Sequence, residues 1–115
     1  MEALSRKKIR ENLDVTLQHQ LSNIYIFEQL DSTNAWLLKH KQCNTLCLAE
    51  SQLAGRGRQG RRWASPATGN IYLSYCYCFD TLPKTFSLST LTVGIAVCEA
   101  LKEIGLQGHG LKWPN

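Results

Sequence analysis

The segment Asn23-Ile-Tyr-Ile-Phe-Glu-Gln-Leu-Asp-Ser-Thr-Asn-Ala-Trp-Leu-Leu-Lys-His-Lys41 changes character at Asp31. Before it, Ile24, Tyr25, Ile26 and Phe27 form a short β-prone run, so Asn23 to Leu30 reads as a strand. At it, Asp31 and Ser32 are good N-cap residues. Beyond it, Ala35, Trp36, Leu37 and Leu38 follow as helix formers or core side chains, and Lys39-His40-Lys41 supplies a basic C-terminal end. A helix is therefore predicted to start at the Asp31-Ser32-Thr33 triplet. Thr45 to Glu50, Thr-Leu-Cys-Leu-Ala-Glu, then returns to strand character. Strand, helix and strand in this order imply a mixed α/β domain with helices packed on one sheet.

Working outward, Ile9, Leu13 and Leu17 recur every four positions between about Ser5 and Gln20, which predicts one amphipathic helix. On the other side, Ser51 to Trp63 has three glycines, four arginines and no periodicity, and is expected to be a loop. Gly69 to Phe79, rich in aromatics and cysteine behind a Gly-Asn turn signal, is the clearest strand. Asp80 to Lys84 reads as a turn around Pro83. Phe86 to Ile104 reads as a mostly buried helix stopped by Gly105, and Gly108 to Asn115 as the start of one more strand.

The chain has 115 residues, 43% apolar and 19% charged, which allows one domain with a real core and excludes a disordered or disulfide-scaffold chain. No apolar run approaches a membrane span and the N-terminus leads into no signal region, so a soluble, cytoplasmic protein without a membrane partner is expected. Five cysteines, Cys43, Cys47, Cys76, Cys78 and Cys98, are an odd number without a secretory signal, and are expected to be reduced thiols. The three histidines show no metal-ligand spacing, so no metal site is expected.

The net charge of +4 has one source. Arg56, Arg58, Arg61 and Arg62 lie in a segment with no acid between Ser51 and Trp63; without these four, bases and acids balance. In Gly55-Arg-Gly-Arg-Gln-Gly-Arg-Arg-Trp63, glycines let the backbone approach a ligand and the arginines supply forked donors suited to carboxylate or phosphate. It is neither a Walker loop nor a dinucleotide fingerprint. The residues leave three readings open: a loop that closes on an anion, a contact to RNA or DNA, and a solvated basic loop. Asp31 to Asn34, at a helix start with unpaired N–H groups, is a natural polar recognition site as well as an ordinary cap. Gln52 and Lys112 are equally compatible with surface roles.

Four segments taken in order resemble the catalytic domain of biotin protein ligases, the biotin–[acetyl-CoA-carboxylase] ligase family. They are Asp31-Ser-Thr-Asn34, Ala49-Glu-Ser-Gln52 leading into Gly55 to Trp63, Gly69-Asn-Ile-Tyr-Leu-Ser74, and Leu111-Lys-Trp-Pro-Asn115. The resemblance spans about residues 24 to 115. It implies a fold like that of the class II aminoacyl-tRNA synthetase and biotin ligase catalytic domains. Residues 1–22 would be a linker-like helix, and residues 23–115 the N-terminal part of a biotin/lipoate ligase-type domain. The implied reaction is ATP-dependent conversion of biotin to biotinyl-5′-AMP and transfer of biotin to a carrier-protein lysine, with Mg²⁺ accompanying ATP.

Residue by residue, the resemblance assigns Ser32, Thr33, Asn34, Gln52, Gly55, Arg56, Gly57 and Arg58 to biotin, with Gln52 as partner of the ureido ring. It assigns Arg58, Arg61, Trp63, Lys112 and Asn115 to ATP or the adenylate, and gives Arg58 and Lys112 the catalytic roles. Gln59 stands where an arginine or histidine is common. The implied partner is the biotin carboxyl carrier protein of a carboxylase. No specific DNA binding is expected, because residues 1–22 are too short for a winged helix, and a homodimer is open for the full-length family member. The family's domain continues beyond Lys-Trp-Pro-Asn, so the chain is expected to be a fragment of a ligase. A truncated remnant without activity, a lipoate ligase and an Arg/Gly-loop RNA-binding module are the alternatives.

Overall fold

The computed structural model describes residues 2–112, which form two compact units that meet in sequence between Cys78 and Phe79. In the first unit, α1 (Arg6–Glu11) and α2 (Val15–Gln20) precede β1 (Asn23–Leu30). The single helix expected over Ser5 to Gln20 is thus broken. Asn12 closes α1, and the Asp14 side chain accepts from the Leu17 N–H at 2.8 Å to cap α2. A good N-cap residue placed mid-run restarts the helix even though the apolar spacing continues through it.

β1 runs parallel to β2 (Thr45–Arg56), and α3 (Thr33–His40) makes the crossover that parallel strands require. On its other edge β2 pairs antiparallel with two strands in succession. β4 (Tyr72–Cys76) lies along its first half and β3 (Arg62–Ser65) along its second. The sheet is mixed, as expected. Ser51 to Trp63, however, is not a loop. β2 extends to Arg56 and returns through β3, leaving only a 3-10 turn at Arg58–Gly60 as hairpin end. Glycine content hid this strand pair, because a glycine at a bulge removes the side-chain alternation by which strands are read.

Alternation along β2 serves two layers. Leu48, with Ile24 and Leu21, forms a core packed by Leu4, Ile9, Leu13, Ile26 and Leu46, so the N-terminal helices cover that face. Cys47 and Ala49 point the opposite way and are fully buried. Cys47 pairs in register with Ser74, whose hydroxyl meets Thr33 of α3, so α3 covers this second face. Helices therefore pack on both sides of the sheet.

The expectation of reduced thiols fails at one pair. Thr45 is opposite Cys76, which puts Cys43 opposite Cys78 two residues further out. Their Cα atoms are 5.4 Å apart and they form a disulfide. Counting cysteines could not reveal it, because the pairing is created by strand register. Cys47, Cys76 and Cys98 are free thiols.

In the second unit, a 3-10 turn at Phe86–Leu88 leads into α4 (Ser89–Glu103). The predicted glycine stop is present. Gly105, at φ 98°, donates to the Lys102 carbonyl (2.9 Å) and Leu106 to that of Leu101 (3.0 Å), the paired closure a left-handed residue permits. The predicted burial is not: α4 has no buried residue, and Val93, Ile95 and Val97 are exposed. Gly108 to Lys112 forms no strand, and the rest of that expected strand, Trp113 to Asn115, lies outside the described residues.

Candidate functional site

The N-terminus of α3, the middle of β2 and the start of β4 converge on an open cavity of about 310 Å³. Ser32, Thr33, Asn34 and Gln52 supply polar groups, Tyr72, Ile71 and Leu73 an apolar wall, and Arg56 and Trp63 the rim from the hairpin. Such a cavity suits a ligand with one polar, hydrogen-bonding end and an apolar body.

Three of these polar groups, Ser32, Thr33 and Gln52, are held from behind. Ser32 is the N-cap of α3, its Oγ accepting from the Ala35 N–H at 3.2 Å. Thr33 is buried; its N–H donates to Gln52 Oε1 at 2.8 Å, and its hydroxyl lies 2.7 Å from that of Ser74. Gln52 Nε2 donates in turn to Ser65 Oγ at 3.1 Å, across the β2–β3 pair. Ala54 N–H donates to the Asp31 carbonyl at 2.8 Å, tying the entry of α3 to β2. The Asp31 to Asn34 cap and Gln52, distant in sequence, are thereby one structure.

The hairpin end carries the positive charge. Gly57 N–H donates to the Arg61 carbonyl at 2.7 Å, closing the turn, while Gln59 (φ 58°) and Gly60 (φ 72°) take left-handed conformations that reverse the chain. Arg56, Arg58, Arg61 and Arg62 are exposed, and among the described residues none pairs with a carboxylate. Four exposed guanidinium groups without a carboxylate partner among the described residues make this end attractive to anions.

Of the residues singled out in the sequence, Ser32, Thr33, Asn34, Gln52, Arg56 and Trp63 line one cavity. Gly55, Gly57, Arg58 and Arg61 lie on the same hairpin without lining it. Lys112 is an exposed residue of the second unit, and Asn115 lies outside the described residues. Sequence reading gave Tyr72 a role only as a stacking surface in the RNA-binding alternative, quoted Ser74 only within its motif, and missed Ser65. The first two sit in the Gly69 to Ser74 segment and could have been found from strand alternation, which turns Tyr72 and Ser74 inward together. Ser65 carries no signal outside the strand pairing. Among the described residues no group of three or more His, Cys, Asp or Glu could hold a metal, and no helix is long and apolar enough to cross a membrane.

The chain is similar to known proteins over nearly all its length. It is 34% identical over 118 aligned positions to the bifunctional ligase/repressor BirA of Salmonella typhimurium, covering 100% of this chain and 35% of that protein. It is 35% identical over 99 positions to the biotin–[acetyl-CoA-carboxylase] ligase of Mycobacterium tuberculosis, covering 78% of this chain and 37% of that one. Among solved structures, the biotin protein ligase from Aquifex aeolicus in complex with biotin and ATP superposes with a TM-score of 0.66 at 35% identity, over 82% of this chain and 40% of that chain. This chain thus spans about a third of the length of those curated relatives. The word repressor in the Salmonella protein's name leaves DNA binding open, where the sequence reading set it aside. The model of the biotin/lipoate A/B protein ligase family matches residues 26–115, and the chain belongs to that family.

Proposed function

We propose that this chain carries the biotin-binding part of a biotin protein ligase, which activates biotin with ATP and passes it to a lysine of a carboxylase's biotin carboxyl carrier protein. The observation that carries this reading is the cavity at the start of α3. It has a convergent polar floor of Ser32, Thr33 and Gln52, an aromatic and aliphatic wall, and an arginine-rich hairpin at its rim. A fused cyclic urea needs donors and acceptors at one end, an apolar channel for its ring and chain, and positive charge where its carboxylate emerges.

In the first step a biotin carboxylate oxygen bonds to the α-phosphorus of ATP, the bond from that phosphorus to the bridging oxygen breaks, and pyrophosphate leaves. Two anions must be brought together, and Arg56, Arg58 and Arg61 offset that repulsion and the charge gathering on the phosphate. In the second step a lysine amine adds to the acyl carbon, loses its proton, and AMP leaves. Before this transfer, Trp63 and the hairpin end shield the mixed anhydride from water. Ser32, Thr33, Asn34 and Gln52 hold the ureido end, and Gly55 and Gly57 let the hairpin backbone come close. Lys112 and Asn115 are assigned to the nucleotide phosphates by likeness of motif alone. Mg²⁺ is expected with ATP, and the described residues offer no group of three or more His, Cys, Asp or Glu to hold it. In this reading residues 1–22 lead into the domain and residues 23–115 form its N-terminal part.

Replacing Arg58 by Ala tests the role of the hairpin. Dissociation of biotinyl-5′-AMP, followed by Trp fluorescence, is expected to quicken on the order of tenfold, the loss of one charge-assisted contact to phosphate. Unchanged dissociation would remove Arg58 from the adenylate site.

A further inference from the structure

The polar floor of the cavity is part of a longer hydrogen-bonded chain. Thr33 N–H donates to Gln52 Oε1 (2.8 Å), Gln52 Nε2 donates to Ser65 Oγ (3.1 Å), and Ser65 Oγ donates to the Trp63 carbonyl (3.3 Å). The two ends fix the direction. A backbone N–H only donates, so it must meet the oxygen of the Gln52 amide; a backbone carbonyl only accepts, so Ser65 must spend its proton there and present a lone pair to the amide nitrogen. Ser65 is the one link able to convert an accepting carbonyl into an acceptor for Gln52, and it is only 5% exposed.

From this we infer that Ser65 is the positioning residue for Gln52, clamping its amide in one orientation and coupling it to the hairpin at Trp63. Held from both sides, the amide keeps one N–H and one oxygen lone pair for the cavity. That is the complement of a cyclic urea, which offers a carbonyl oxygen and an N–H next to each other. The packing supports a built clamp. A Cβ on Gly55 would come within 2.5 Å of Ser65 Oγ, 2.6 Å of the Trp63 carbonyl oxygen and 3.2 Å of Gln52 Nε2, so three consecutive atoms of the chain rest against a bare glycine. Because Ser65 bonds to the backbone of Trp63, its hydroxyl ties the Gln52 side chain to β3.

The part of this inference that concerns biotin rests on the function proposed above; the clamp itself does not, and the two are tested separately. In the 115-residue chain, nuclear Overhauser contacts of the Gln52 side-chain NH₂ are expected to be strong to the Ser65 β protons and weaker to the Thr33 amide proton, which faces the amide oxygen. The reverse order of intensities would mean a flipped amide and would overturn the clamp. Biotin affinity of Ser65→Ala, Gln52→Leu and the double variant, from titration of Trp fluorescence, supplies the second arm. Ser65→Ala is expected to weaken biotin about tenfold when Gln52 is present and less than about twofold when it is Leu, since its effect runs through the amide. An equal loss in both backgrounds would make Ser65 merely structural. If the native chain ignores biotin altogether, the proposal that it carries the biotin-binding part fails, while the Overhauser pattern still decides whether Ser65 holds Gln52.

Discussion

Gly55 occupies a position where any side chain must displace something. Its would-be Cβ meets backbone and two hydrogen-bonded side-chain atoms, none of them the loose end of a flexible chain. Gly55→Ala is therefore expected to destabilise by about 1–3 kcal/mol, read as a lower urea midpoint, and to weaken biotin more than a surface glycine change would. An unchanged midpoint would mean that the hairpin shifts freely. Cys47 makes a different kind of prediction. Burial pushes its thiol up to about 11, against 9.0 for an unperturbed thiol. Between those values the unfolded chain loses this proton and the folded chain keeps it, so this contribution to stability is whole below pH 9 and is lost as pH rises toward 11. The urea midpoint of the native chain should fall faster over that window than that of Cys47→Ala; parallel curves would contradict the burial argument. At neutral pH the same thiol should react with a disulfide reagent far more slowly than half-buried Cys76 or Cys98.

At the scale of elements, the cap and the disulfide carry the predictions. Ser32 both caps α3 and lines the cavity, so Ser32→Ala is expected to cost about 1 kcal/mol of stability, seen as a lower midpoint without ligand. The Cys43–Cys78 bond closes a loop of sequence separation 35 between β2 and β4, the strand bearing Tyr72 and Ser74. Its reduction should cost about 2–4 kcal/mol in urea unfolding, and Cys43→Ser should remove the response to reductant. Elements whose signal is local were legible from sequence. β1, the start of α3 at the Asp31-Ser32-Thr33 triplet, and the glycine end of α4 depend on neighbouring residues only. The break at Asp14, the extension of β2 to Arg56 and the cysteine pair depend on competition or register, which no window of sequence displays. The site divides in the same way. Its cap residues and Gln52 were found in the four motif segments, whereas Ser65 matters only because β3 lies across from Gln52.

For the whole chain, the first unit holds its own core and every lining residue of the cavity described above, with Leu21, Ile24 and Leu48 on one side of the sheet and Cys47 and Ala49 on the other. The biotin contacts proposed for that cavity fall within residues 32–74. The α4 segment was read as buried from its apolar content, but composition gives hydrophobicity and not the partner that would cover it. The most direct measurement of the central claim is urea unfolding of the 115-residue chain, followed by the fluorescence of its three tryptophans, with saturating biotin, with lipoate and with neither. A ligand bound only by the folded state raises the midpoint, by about 2.7 kcal/mol of stability at a hundredfold excess over its Kd. The account predicts a cooperative transition that biotin raises and lipoate leaves in place. A midpoint indifferent to biotin, or raised by lipoate alone, would contradict it.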